Sequence, residues 1–140
     1  MNETATPASL YAGLIGAVLA VAGVVGFFYS SSFGSPGSVD AVIGVLDVNA
    51  WHNLVHLLSG VLGVLAFMSG PRASRTYALV FGAVYIVVAI WGFILGNHES
   101  ILGFLPINTE DNFLHLILGV LGIGAGLVSP EGEARPAAAT

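Results

Sequence analysis

The sequence has no cysteine and no lysine, and its only cationic side chains apart from histidine are Arg72, Arg75 and Arg135. Without thiols there can be no disulfide, no thiolate metal centre and no cysteine nucleophile. Nucleic acids are bound through clustered cations, so no nucleic-acid partner is expected. Charged residues make up 8 % of the chain, against about 25 % in a soluble domain. Water is therefore not the solvent for most of this surface. Walker loops, dinucleotide fingerprints, H-E-x-x-H and G-x-S-x-G are also missing. No catalytic residue is assigned, and the reading leans away from an enzyme.

What remains is apolar. Residues 10–29, 51–68, 77–95 and 113–128 form four hydrophobic stretches, and a helix needs about 20 such residues to cross a bilayer. The second and fourth reach that length once their polar first turns are counted. The 19 glycines would weaken soluble helices. In lipid they are tolerated, because backbone hydrogen bonds persist and helices can approach closely. The expected fold is an all-α membrane protein with four transmembrane helices. A membrane domain over 10–129 is flanked by flexible ends at 1–9 and 130–140, and the Gly/Ser-rich stretch 30–38 is irregular. The first nine residues lack the positive charge that opens a secretory signal, so the first apolar run reads as a retained helix.

Arg72 and Arg75 lie between the second and third spans and Arg135 follows the fourth, while 30–50 and 96–110 hold neither Lys nor Arg. Positive charge marks the cytoplasmic side. The expected location is the inner (cytoplasmic) membrane, with both termini inside and His52, His56, His98 and His115 toward the outer face.

Self-similarity is the strongest signal in the chain. Residues 44–66 match 103–125 at a constant offset of 59, pairing Gly44 with Gly103, Asn49 with Asn108, Asn53 with Asn112, His56 with His115, Gly60 with Gly119 and Gly63 with Gly122. Residues 11–30 match 77–96 at an offset of 66. This reads as a tandem repeat of a two-helix hairpin, with copies at 10–68 and 77–128. Each copy holds two spans, so both enter the membrane in the same direction.

Asn49 and Asn108 are natural helix N-caps. From them, 49, 53, 56, 60 and 63 step by four, three, four and three, which places them on one helix face, as it does their partners 108, 112, 115, 119 and 122. That face predicts that the second and fourth spans pack together through Gly60, Gly63, Gly119 and Gly122. Asn53 would then bond His115, and Asn112 would bond His56, as a polar cluster within the outer third of the bundle. The first reading is therefore a non-enzymatic structural or accessory membrane protein.

The alternative is a haem- or metal-binding membrane protein, redox-active or not, that uses His56 and His115. His52, His98, Glu99 and Asp111 could complete a shell. Two imidazoles are few for zinc, which takes four donors, so a cofactor is not the favoured reading. His52 and His98 on their own read as interfacial residues. No Asp, Glu, Lys or Arg lies in the middle of a span, which leaves an ion transporter without a visible path. The bilayer is the expected partner, with a second membrane protein or another copy of the chain as further candidates.

With its paired motifs, Asn53-Leu-Val-His56 to Gly60 and Asn112-Phe-Leu-His115 to Gly119, the chain resembles a family of small prokaryotic four-helix membrane proteins known as a domain of unknown function. The resemblance covers roughly residues 8–128. It implies the four-helix topology and carries no activity, substrate or cofactor.

Overall fold

A computed structural model describes residues 5–33 and 40–131. Residues 1–4 of the expected flexible start, Arg135, most of the tail and more than half of the Gly/Ser-rich stretch lie outside the described residues. Among the described residues four helices are long and apolar enough to cross a membrane: α1 (Pro7–Tyr29), α2 (Ala50–Ser69), α3 (Pro71–Leu95) and α4 (Thr109–Val128). At about 1.5 Å per residue, even the shorter pair reaches the roughly 30 Å of a hydrocarbon core.

The helix ends follow local chemistry. Thr6 caps α1 by accepting from the Ser9 N–H, and Pro7 sits where a helix needs no amide donor. Asn49 and Asn108 cap α2 and α4 by accepting from the His52 and Asp111 N–H groups. Two boundaries differ from expectation. Pro7–Ser9, expected to be flexible, are helical, and Ala8 is buried with its N–H on the Ser129 hydroxyl at 2.9 Å. The stretch expected to be the middle loop is mostly helix. Only Gly70 separates α2 from α3, and its φ of 106° is a conformation glycine adopts without strain.

Inside and outside are reversed relative to a soluble bundle. Large aliphatic and aromatic side chains face outward, with Phe28 86 % and Ile94 77 % exposed. The interior between the helices is built mostly from Gly, Ala, Ser, Asn, His and Tyr, with Leu19 and Asp111. In lipid, burying a leucine gains little, whereas small residues gain close backbone contact and polar groups gain partners.

The closest packing lies within each hairpin, and this corrects the expected glycine face. A Cβ on Gly60 would strike the Ala20 backbone nitrogen of α1, and one on Gly63 would lie 2.8 Å from Gly16 Cα. In the second hairpin, a Cβ on Gly119 would come 2.8 Å from the Ile86 nitrogen of α3, and one on Gly122 would come 2.8 Å from the Ala78 carbonyl oxygen. The glycines therefore seat α2 on α1 and α4 on α3. Helices α1 and α3 each contact all three others, while α2 and α4 occupy the separated diagonal. Tyrosines join the hairpins: the Tyr11 hydroxyl donates to the Leu118 carbonyl at 2.9 Å, and the Tyr77 hydroxyl donates to the Ser59 carbonyl at 3.0 Å.

Two short β-hairpins cover one end of the bundle. Strand β1 (Asp40–Val42) pairs antiparallel with β2 (Leu46–Val48), and β3 (Ser100–Ile101) with β4 (Leu105–Pro106). Each turn places a bulky residue and a glycine at positive φ: Ile43 at 57° with Gly44 at 71°, and Leu102 at 55° with Gly103 at 77°. Two positive φ values in succession define a type I′ turn, which normally uses Asn-Gly. An Ile or Leu in the first place is strained and gives no sequence signal for a hairpin.

Candidate functional site

The site lies at the hairpin end and begins with the two cap asparagines. Their side-chain oxygens cap α2 and α4, which leaves the amide N–H groups to donate elsewhere. Asn49 donates to the Phe104 carbonyl at 2.7 Å, and Asn108 donates to the Val45 carbonyl at 2.6 Å. Each cap therefore holds the turn of the opposite hairpin, and the crossed bonds tie the starts of α2 and α4 to one roof. Sequence reasoning found the caps but not these bridges, because spacing does not reveal a partner more than fifty residues away.

One turn below, the expected Asn–His pairs do not form. The Asn53 amide donates to the Ser30 carbonyl at 2.8 Å. Asn53 and Asn112 are buried against Gly26 and Gly92, where an added Cβ would overlap their side-chain oxygens. Their place is the seam between the helices of one hairpin, for the same reason that Gly60 and Gly119 face inward there. Among the described residues the Asn112 oxygen has no hydrogen-bond partner.

The histidines do come together. His56 and His115 have ring centroids 6.1 Å apart, and His52 lies 4.4 Å from the first and 6.1 Å from the second. One ligating nitrogen from each of the three rings lies within 4.8 Å of the others. His52 and His115 are buried, and His56 is partly buried. His52 was expected as an interfacial residue; instead it is 5 % exposed, because the i, i+4 step from His56 turns it to the same inner face. His98 points away, with its side chain 70 % exposed, and its Nδ1 meets the Asp47 carboxylate at 3.0 Å. Glu99 contributes its backbone carbonyl to the roof, accepting from Ile107 at 3.0 Å. Neither residue is in the cluster of ligating nitrogens.

The proton positions follow from the partners. His52 Nδ1 lies 2.9 Å from the Asp47 carbonyl oxygen. A carbonyl can only accept, so Nδ1 carries the hydrogen and Nε2 keeps its lone pair. That Nε2 faces His56 Nε2 at 3.2 Å. A second-sphere carbonyl fixing one ring nitrogen is the usual arrangement for a ligating histidine. Among the described residues His115 Nδ1 is buried without a partner, as is one oxygen of Asp111, which occupies the position matching His52 at the offset of 59. Tyr85 stacks on His115 at 5.4 Å and 23°. The sequence reading passed over Tyr85; its signal was a phenol in the middle of an apolar span.

Fold and site together define a multi-pass, four-helix membrane protein with an inward-facing imidazole cluster at one end. The family model described as Domain of unknown function (DUF4383) matches residues 9–128, and the chain belongs to that family. No curated protein and no solved structure matches it.

Proposed function

We propose that this chain is a protein of the cytoplasmic membrane that binds one transition-metal ion through His52, His56 and His115. The carrying observation is the convergence of three ligating nitrogens within 4.8 Å. Zn–N bonds of about 2.0–2.1 Å at tetrahedral angles put ligand nitrogens roughly 3.3 Å apart. The His52–His56 separation of 3.2 Å already meets that geometry, and His115 reaches it by a small side-chain movement. Three imidazoles without carboxylate or thiolate suit Zn, Cu, Fe or Ni rather than Mg or Ca. A haem held between His56 and His115 fits poorly, because the His52 ring stands within 4.4 Å and 6.1 Å of theirs and leaves no slot for a flat macrocycle.

Elemental analysis of the purified chain tests this reading. About one transition-metal ion per chain is expected, lost in His56→Ala/His115→Ala. Stripped protein titrated with Co(II) should develop the intense visible bands of a four-coordinate site. Protein without metal and without Co(II) bands would refute it. A second reading, a purely structural or accessory module, draws on the His52–His56 hydrogen bond. It predicts that the double variant unfolds more easily and that no ion is ever bound.

Arg72 and Arg75 sit at the end opposite the histidines, which supports cytoplasmic termini and an outward-facing site. A C-terminal reporter should be active only on the cytoplasmic side.

A further inference from the structure

A cavity of about 520 Å³ opens beside the histidine cluster. One wall is the α1 face around Val18, Val21 and Ala22, the first β-hairpin closes one side, and the polar groups are His52, Asn53, His56 and Asp111. Val18 and Val21 are 61 % and 62 % exposed, so the mouth opens sideways, toward where hydrocarbon surrounds the bundle. We propose that this cavity takes a lipid-soluble phenolic ring of the quinol type, with its hydroxyl on Asp111.

Three features select that occupant. The first is charge. No Arg or Lys lines the cavity, so a carboxylate or phosphate head would find no cation to pair its charge. The second is hydrogen bonding. Asp111 is 3 % exposed and one of its oxygens has no partner. An ionised oxygen requires a donor and a protonated one requires an acceptor, and a hydroxyl group is both. The third is the scarcity of polar partners. The Asn53 amide is committed to Ser30, both His52 nitrogens to Asp47 and His56, and His56 Nε2 to His52, which leaves one His56 nitrogen for the second hydroxyl of a quinol. A glycerol head would bury hydroxyl and ester groups against valines without partners. A ring with an apolar body and few oxygens does not have that cost, and its tail follows the valine face of α1 into the bilayer.

This inference stands apart from metal binding, since its polar anchor is Asp111 rather than the three nitrogens. The test is equilibrium binding of decylubiquinol, kept reduced under argon, to the full chain in phosphatidylcholine nanodiscs with and without chelator. Dioleoylglycerol and oleate serve as comparison ligands. Saturable decylubiquinol binding is expected, with the other two at least tenfold weaker. Ala22→Trp and, independently, Val18→Trp fill the mouth from the lipid side and should each weaken binding tenfold or more without changing metal content. Asp111→Leu should do the same to binding, and Asp111→Asn, which keeps donor and acceptor, should recover most of it. No saturable decylubiquinol binding, equal binding of oleate or dioleoylglycerol, or indifference to both Trp variants would overturn the proposal.

Discussion

Replacing Gly60 by Ala tests how the bundle is held together. The added methyl would collide with the backbone nitrogen of Ala20 and come within 2.6 Å of the Gly16 carbonyl oxygen and 2.7 Å of Ala20 Cα, where ordinary contact starts at 3.4 Å. All three atoms are backbone, so no side chain can rotate away. Helix α1 must retreat by about 0.7–0.8 Å from the latter two, and further from the first. Overpacking of this kind costs about 1–3 kcal/mol, and rigid backbone neighbours place Gly60→Ala toward the upper end. Alanine's helix preference over glycine returns up to about 1 kcal/mol, leaving a net loss near 2 kcal/mol. Gly124→Ala is the control, since nothing lies within 4 Å of a Cβ there, and it should be neutral or stabilising. Reversible unfolding in bicelles, followed by steric trapping, measures both. A difference below about 0.5 kcal/mol between the two variants would refute the packing argument. Gly60→Ala and Gly119→Ala sit in separate hairpins and should add within about 0.3–0.5 kcal/mol. Coupling well above that would return Gly60 to a contact with α4.

Tyr11→Phe and Tyr77→Phe each remove one hydroxyl that bridges the hairpins, and each should cost about 0.5–1.5 kcal/mol, read in the same unfolding assay. Asn53→Ala strips the Ser30 carbonyl of its buried donor and should cost about 1–3 kcal/mol, and His98→Ala, which removes the partner of the largely buried Asp47 carboxylate, should cost about 0.5–1.5 kcal/mol. Metal affinity should fall as pH drops, because imidazole must give up a proton to ligate and protons compete for the same lone pairs. Co(II) titrations between pH 8 and about 5.5 follow this, and affinity independent of pH would exclude histidine ligation.

The span count was legible because a stretch of about 20 apolar residues has few other uses. The caps were legible because Asn before an apolar run answers a local need for amide acceptors. Both depend on neighbours a few residues apart. The glycine face was found correctly as a face and assigned to the wrong neighbour. A repeating four-three step says that small residues line one side of a helix, but it carries no information about which helix fills the groove. Gly16, Ala20, Gly82 and Ile86 decided that.

The histidines divide in the same way. The matching of His56 with His115 could be read from register alone. His52 could not, because beside Trp51 at a helix start it has the composition of an interface residue. Spacing sets its face, but the acceptor for its Nδ1–H, the Asp47 carbonyl, is delivered by a β-hairpin whose Ile-Gly turn gives no local signal. By itself, then, the sequence determined the solvent, the number of crossings and the residues able to donate or ligate, since those follow from side-chain chemistry and short-range spacing. The tertiary structure alone decided which helices touch, which polar groups find partners and that the His115 ring converges on those of His52 and His56, since those contacts join residues tens of positions apart.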